Sequence, residues 1–468
     1  MIFHKWTRIL LLIPLLLSLI GSTPAQAQTS APKLLWCPAT VTTPRAGQYG
    51  CTPAFTSMTA LWTHLTSHEP SVAGTIWIGA GYDSLAAGDG NLGFDGEVLT
   101  KMAKYPLSFK GGWKGQGMGA LNLQSPATLQ GHTFSVFHWK GKVTIRNFNV
   151  VLNAASAASA CDNAAVCVQT AGGILLDRVH VEGVDTGGIR DGAILDNRAS
   201  LASPPGSVVV TNSQFLNNRS FTNSSGLLIL TNGAVTLKQV EANNDTWDGV
   251  VINNTFDATG SPVTVTNGKF NENDDDGLDI ASNGTVTLTN LYAQGNAGHG
   301  TFVDNTAGVG NVVFKGINTF LGNVSSGLFV RSKGNITARY LLAYYNDNSG
   351  VWLDNSTALS AKGVNITGSG EFIGNLSSGL SVRSKGNVSI NRVIAADGDG
   401  DGIGISIEAE NATLTCSHTT GHNVGLSVTG SGGGPLSKLI LQGFLSYGNT
   451  LPDFIAADST VSTACPTG

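Results

Sequence analysis

A unit of glycine, apolar, any residue, apolar recurs through the second half of the chain: GLLI at 226, GVVI at 249, GLDI at 277, GTFV at 300, GLFV at 327, GVWL at 350, GLSV at 379, GIGI at 402 and GLSV at 425. The intervals are 23, 28, 23, 27, 23, 29, 23 and 23 residues. Short and long intervals alternate until the last two, so the larger unit is about 50 residues. GLFVRSKGNITA (327–338) and GLSVRSKGNVSI (379–390) lie 52 residues apart and are nearly identical. Within each unit the hydrophobic period is two, as in TVTLTN after GLDIASNG, which is the periodicity of strands. Strands this short cannot form a core alone. They must stack coil on coil, burying Leu278/Ile280, Leu328/Val330, Val351/Leu353 and Leu380/Val382 inside a parallel β-solenoid.

Upstream, TPAFTSMTALWTHL (52–65) reads as a helix with Thr52 as N-cap, Pro53 at its first position, and Phe55, Met58, Leu61, Trp62 and Leu65 on one face. GTIWIGAGYD (74–83) then reads as the first strand. A helix closing the open end before such a strand, followed by this repeat, resembles the right-handed parallel β-helix proteins of the pectin-lyase-like kind. The resemblance covers most of the chain. It implies an all-β fold, a single right-handed parallel β-helix with a short N-terminal capping helix, and the sequence divides into a signal peptide (1–27), an N-terminal segment with the helix (28–70) and the solenoid (71–468).

The signal peptide is read from Lys5 and Arg8, an apolar run from Ile9 to Ile20, and Ala25-Gln26-Ala27, so export to the cell exterior or surface is expected. That run is too short to span a bilayer, and no later stretch reaches the ~20 apolar residues required. Without the leader the chain carries 24 basic against 31 acidic residues, a net −7, with no Lys/Arg cluster. Nucleic acid is a poor partner for such a surface. The six cysteines, in an exported chain, are expected to pair by proximity as Cys37–Cys51, Cys161–Cys167 and Cys416–Cys465. The expected state is a monomer.

Aligning coils on the glycine turns sequence into surface, because equivalent residues on successive coils lie ~4.8 Å apart. The residue before the glycine is Asp248, Asp276, His299, Ser326, Ser349, Ser378, Asp401 and Val424. The first outward strand position runs Asp279, Phe302, Phe329, Trp352, Ser381 and Gly404 from the third coil on. The second runs Ala281, Asp304, Arg331, Asp354, Arg383 and Ser406. Phe302, Phe329 and Trp352 cannot point inward if Val303, Val330 and Leu353 do. They form either ordinary cross-strand stacking or a platform for sugar rings or a partner surface. The alternating charges of Asp304, Arg331, Asp354 and Arg383 form a ladder that could also hydrogen-bond sugar hydroxyls.

Asp248, then Asp275-Asp276, then Gly298-His299-Gly300, then Arg331-Ser332-Lys333 resembles the row of polygalacturonase-type glycoside hydrolases. The resemblance implies an inverting mechanism, in which a protonated carboxyl faces an ionised one ~6.5–9.5 Å away. The sequence departs from that pattern at Arg331-Ser332-Lys333, which is shifted along the strand and repeats at 383–385 beside no acid. Turn aspartates at 89–97 (Asp89, Asn91, Asp95, Glu97) and 397–401 (Asp397, Asp399, Asp401) carry oxygen ligands of the calcium type. Their alternative is a plain Gly/Asp turn. Glu408 is too far along an extended strand to close an EF-hand loop over Asp397. No cofactor is expected to be required; calcium is the cation these turns suit. Asn323, Asn335 and Asn387 begin Asn-x-Ser/Thr sequons.

Two functions follow. One is an exported protein that binds polysaccharide, a cell-surface glycan or another surface partner through Asp279, Phe302, Asp304, Phe329, Arg331, Trp352, Asp354 and Arg383. The other is a polysaccharide hydrolase or lyase using Asp248, Asp275, Asp276 and His299.

Overall fold

The computed structural model describes residues 33–153, 164–183, 191–198, 205–219, 224–256, 260–398, 402–431, 436–455, 459–462 and 464–465. The proposed signal peptide, Cys161, Asp399 and Asp401 lie outside them. The described residues wind into a right-handed parallel β-solenoid. Among the described residues, fourteen strands form one continuous parallel sheet and twenty-five form the other. The alternation seen in sequence is realised in burial. Leu278, Ile280, Leu328, Val330, Val351, Leu353, Leu380 and Val382 are at most 1% exposed, while Asp279, Phe329 and Trp352 between them are only partly buried and Ser381 is buried as well. Each such side chain removes some 1.5–3 kcal/mol of apolar surface from water.

The turn glycines are required by close approach. A Cβ at Gly277, Gly300, Gly327 or Gly350 would lie 2.6, 2.5, 2.7 or 2.7 Å from the carbonyl oxygen of the glycine one coil further on. Four residues before each of these glycines, and before Gly379, stands an asparagine: Asn273, Asn296, Asn323, Asn346 and Asn375. These side chains form a buried ladder, each Oδ1 accepting the backbone N–H and the Nδ2–H of the preceding rung (3.0–3.1 and 2.8–2.9 Å from Asn273 to Asn375). The sequon at Asn323 is therefore a ladder rung, fully buried, whereas Asn335 and Asn387 are exposed.

Three expectations are corrected. The helix runs Met58–Ser67 with Ser57 as its N-cap, five residues later than Thr52 suggested. Thr52 instead pairs with a strand that sequence reading missed, Leu34–Pro38: its hydroxyl accepts from Trp36 N–H at 3.0 Å. Phe55 bridges to Leu34, so 52–55 is extended. That extra strand lies antiparallel on Gly74–Gly79 and precedes the strand expected to be first.

The second correction is one of register. Leu380 pairs with Ile405 and Ser381 with Ser406, which makes Gly404, not Gly402, the turn glycine of that coil. Ile403 thus stands before the turn glycine, opposite Ser378, and Glu408 takes the position opposite Arg383 that Ser406 was expected to fill. The third concerns the alternating charges, discussed below. Cys37–Cys51 and Cys416–Cys465 are disulfide-bonded as expected. Cys167 is also disulfide-bonded.

Candidate functional site

The coils carrying Gly249, Gly277 and Gly300 are in register, Val250 opposite Leu278 and Leu278 opposite Thr301, so Asp248, Asp276 and His299 stand in one row. Each side chain accepts the backbone N–H of the next member. Asp276 N–H donates to Asp248 Oδ1 at 2.9 Å, His299 N–H to Asp276 Oδ1, and Ser326 N–H to His299 Nδ1 at 3.2 Å. The last bond requires Nδ1 to be unprotonated, which leaves the imidazole proton on Nε2. Asp275 joins them: carboxylate oxygens of Asp248, Asp275 and Asp276 lie within 4.8 Å of one another. This is tighter than the ~6.5–9.5 Å of an inverting pair and nearer the ~5–5.5 Å of a retaining one. Gly298 is part of this arrangement, because a Cβ there would sit 2.4 Å from Asp276 Oδ1 and 2.5 Å from Asp275 Oδ1.

Burial and crowding displace the acids far from the usual carboxylate range. Asp248, 4% exposed, is raised to about 8 by burial and then by the charges of Asp276, Asp279 and Asp275. Asp276 is raised to about 7 and Asp279 to about 6, again chiefly by burial. Burial raises Asp275 and lowers His299. Protonated and ionised carboxyls therefore coexist in this cluster near neutral pH. Such an arrangement can donate and accept protons at once.

Phe302, Phe329 and Trp352 do point outward, in register with Asp279. They stack on one another: Phe302 on Phe329 at 5.5 Å and Phe329 on Trp352 at 5.6 Å, with planes within 29°. His299 continues the stack, 5.7 Å from Phe302 and 5.1 Å from Phe329. Arg331 lies over Phe329 and Arg383 over Trp352. The ring faces are thus largely taken by neighbouring rings and guanidinium groups. The row stacks as a wall beside His299, the cross-strand stacking that was one of the two expectations.

The alternating charges stand in register, yet no ion pair within 4 Å joins Asp304, Arg331 and Asp354. Asp304 instead accepts from Thr306 N–H and Oγ1–H, and Asp354 from Ser356 N–H and Oγ–H. These local turns hold each carboxylate to its own coil. Arg383 pairs with Glu408 at 3.5 Å, the contact created by the corrected register. Beside this row Thr306, Arg331, Lys333, Asp354 and Thr357 line a cavity of about 370 Å³.

The expected calcium turn at 89–97 is not assembled as such. Asp89 accepts from Met58 N–H, Thr59 N–H and Thr59 Oγ1–H and meets Tyr82 Oη, anchoring the start of the helix. Asn91 Oδ1 accepts from Thr133 N–H. Asp95 meets a histidine that sequence reading did not consider: its Oδ1 lies 3.0 Å from His138 Nδ1, with Glu97 3.9 Å from the same nitrogen. Asp95, Glu97 and His138 could hold a divalent ion there. His138 also lines a cavity of about 460 Å³ with Trp139, Gln169, Thr170, Asp196 and Arg198. Its left-handed backbone, φ 53°, carries no sequence signal. In the turn at 397–401, Asp397 is exposed.

Among the described residues no helix is long and apolar enough to cross a membrane. No curated protein sequence matches the chain. Among solved structures, the A-module of the mannuronan C-5 epimerase AlgE6 of Azotobacter vinelandii is similar at 16% identity and TM-score 0.45, over 72% of this chain and 91% of that one. The periplasmic alginate epimerase AlgG is similar at 14% identity and TM-score 0.35, over 96% of this chain and 100% of that one. The A-module of the A. vinelandii epimerase AlgE4 is similar at 13% identity and TM-score 0.29, over 71% and 91%. At such scores no residue or activity is carried across. Residues 201–369, which hold the acid row and the aromatic wall, match the family model of a right handed beta helix region.

Proposed function

We propose that this chain is an exported protein that acts on a polysaccharide by acid–base chemistry at Asp248, Asp275, Asp276, Asp279 and His299. One observation carries the reading: the carboxylate oxygens of Asp248, Asp275 and Asp276 lie within 4.8 Å of one another, and burial raises Asp248, Asp276 and the neighbouring Asp279 to about 8, 7 and 6. Asp276 would protonate the leaving glycosidic oxygen, with Asp248 behind it as the buried carboxyl that returns the proton. Asp279, ionised, would take a proton from the attacking water and release it to solvent, from which Asp248 is reprotonated after the product leaves. A face that continues coil after coil suits a polymer better than a small molecule. Disulfides favour an oxidising compartment, and so export.

A second reading, binding without turnover, draws on the cavity by Arg331 and Lys333 and the outward aromatic row. The stacking of those rings on each other weakens it. The test is release of reducing or unsaturated ends from a panel of plant and microbial polysaccharides. Release by the wild type, lost in Asp276→Asn and His299→Ala, is expected. Retention of polysaccharide without release, itself lost in Trp352→Ala, would overturn the enzymatic reading in favour of binding.

A further inference from the structure

The asparagine ladder contains one carboxylic acid. Asp245 stands four residues before Gly249, where the next five coils have asparagine, and it is fully buried. Its Oδ1 does what an asparagine carbonyl does, accepting Asn218 N–H and Nδ2–H, both at 2.9 Å. Its Oδ2 lies where the other rungs place their amide nitrogen. A Cβ at Gly226 would strike Asp245 Oδ2, as one at Gly249, Gly277, Gly300 or Gly327 would strike Nδ2 of Asn273, Asn296, Asn323 or Asn346.

In those rungs Nδ2–H also donates to a backbone carbonyl of the preceding coil: Asn273 to Ala242, Asn296 to Phe270, Asn323 to Ala293, Asn346 to Phe320 and Asn375 to Ala343. The acceptor falls three residues before the preceding rung each time. For Asp245 that residue is Phe215, which is in register with Ala242. An ionised carboxylate has no hydrogen to offer it, and Oδ2 otherwise has no partner.

We propose that Asp245 is a neutral carboxylic acid whose Oδ2–H donates to one of the two acceptors that the other rungs' Nδ2–H groups reach, here the Phe215 carbonyl or Asn273 Oδ1, and that this bond positions the turn carrying Asp248. Asp245 is a positioning residue. Its carbonyl accepts Asp274 N–H at 2.9 Å and its N–H donates to Asn273 Oδ1 at 3.1 Å, which ties the Asp248 coil to the Asp275-Asp276 coil. Burial drives the carboxyl well above the usual range. The charged groups acting on it are Arg219, which opposes that shift, and Asp191, which adds to it. The positioning role rests on the reading of Asp248 as the buried proton reservoir. The protonation itself does not.

The experiment is carboxyl infrared spectroscopy at about pH 9, above the values of Asp248, Asp276 and Asp279. A protonated-carboxyl band present in the wild type and absent in Asp245→Asn is expected. Spectra without that difference overturn the proposal. Alongside it, unfolding midpoints of the two proteins from about pH 4 to 9 are expected to diverge in favour of Asp245→Asn, since an acid kept neutral only in the fold loses stability as pH rises. Parallel curves contradict it. For positioning, carboxyl NMR should show Asp248 titrating lower in Asp245→Ala and as in the wild type in Asp245→Asn; no change in Asp245→Ala sinks that part. Because no readout is turnover, inactivity on every polysaccharide would leave these outcomes intact.

Discussion

The coils on either side of Gly327 share one backbone and differ in what stands before the glycine. From Gly249 to Gly300 that residue is Asp248, Asp276 or His299, each bridging by its side chain to the next coil's N–H. From Gly327 to Gly379 it is Ser326, Ser349 or Ser378. There the hydroxyls of Ser326 and Ser349 are buried without a partner, yet Gly300, Gly327 and Gly350 still donate to the carbonyls of Ser326, Ser349 and Ser378 at 2.8–3.1 Å. Coil stacking thus needs the glycine and the inward pair, but not an acid before the glycine. Clustered carboxyls raised to about 8 and 7 work against the fold, which makes them candidates for chemistry.

The contrast can be broken at several points. The largest expected effect is on turnover: Asp276→Asn should lower polysaccharide cleavage roughly 10²–10⁴-fold, the span of a general acid–base group, with unfolding unchanged or shifted upward. Next is Gly298→Ala, whose Cβ would meet Asp275 and Asp276. It should destabilise by about 1–3 kcal/mol in denaturant melts and disturb the acid titrations, whereas Ser325→Ala at the equivalent place one coil on should do neither.

Smaller is the pH effect. Asp248 has a folded pKa above its unfolded value of ~3.9, so its contribution is fully present below that value and is lost as pH rises towards about 8. Wild-type stability should fall against Asp248→Asn across this window by up to ~1.4 kcal/mol per pH unit. Smallest is Ser349→Ala, which removes an unpartnered hydroxyl and should change stability by less than ~0.5 kcal/mol.

Much of the fold was legible because solenoid physics writes itself into spacing. Glycine marks the close approach and period two marks the inward pair. The register slip at Gly404 arose because DGDGDGIGI offers two glycines with identical downstream patterns, and only pairing with Ser378–Arg383 chooses between them. The helix start was misplaced because Thr52 and Ser57 are both good caps, and the strand Leu34–Pro38 that claims Thr52 lies far from it in sequence.

In the site, the row of Asp248, Asp276 and His299 was readable from register alone. The raised acidities were not, since they come from burial that no spacing specifies. The ladder was readable in principle from asparagine four residues before each glycine, and Asp245 shows in that pattern as the exception. The mutual stacking of Phe302, Phe329 and Trp352 depends on ring orientation, which outward position does not fix.

The most direct measurement is the pH dependence of polysaccharide cleavage in wild type and Asp248→Asn. The account predicts wild-type turnover that declines on the alkaline side as Asp276 and then Asp248 lose their protons between about pH 7 and 8, and turnover that is strongly reduced at every pH in Asp248→Asn. Cleavage with the same rate and the same alkaline limb in both proteins would contradict it.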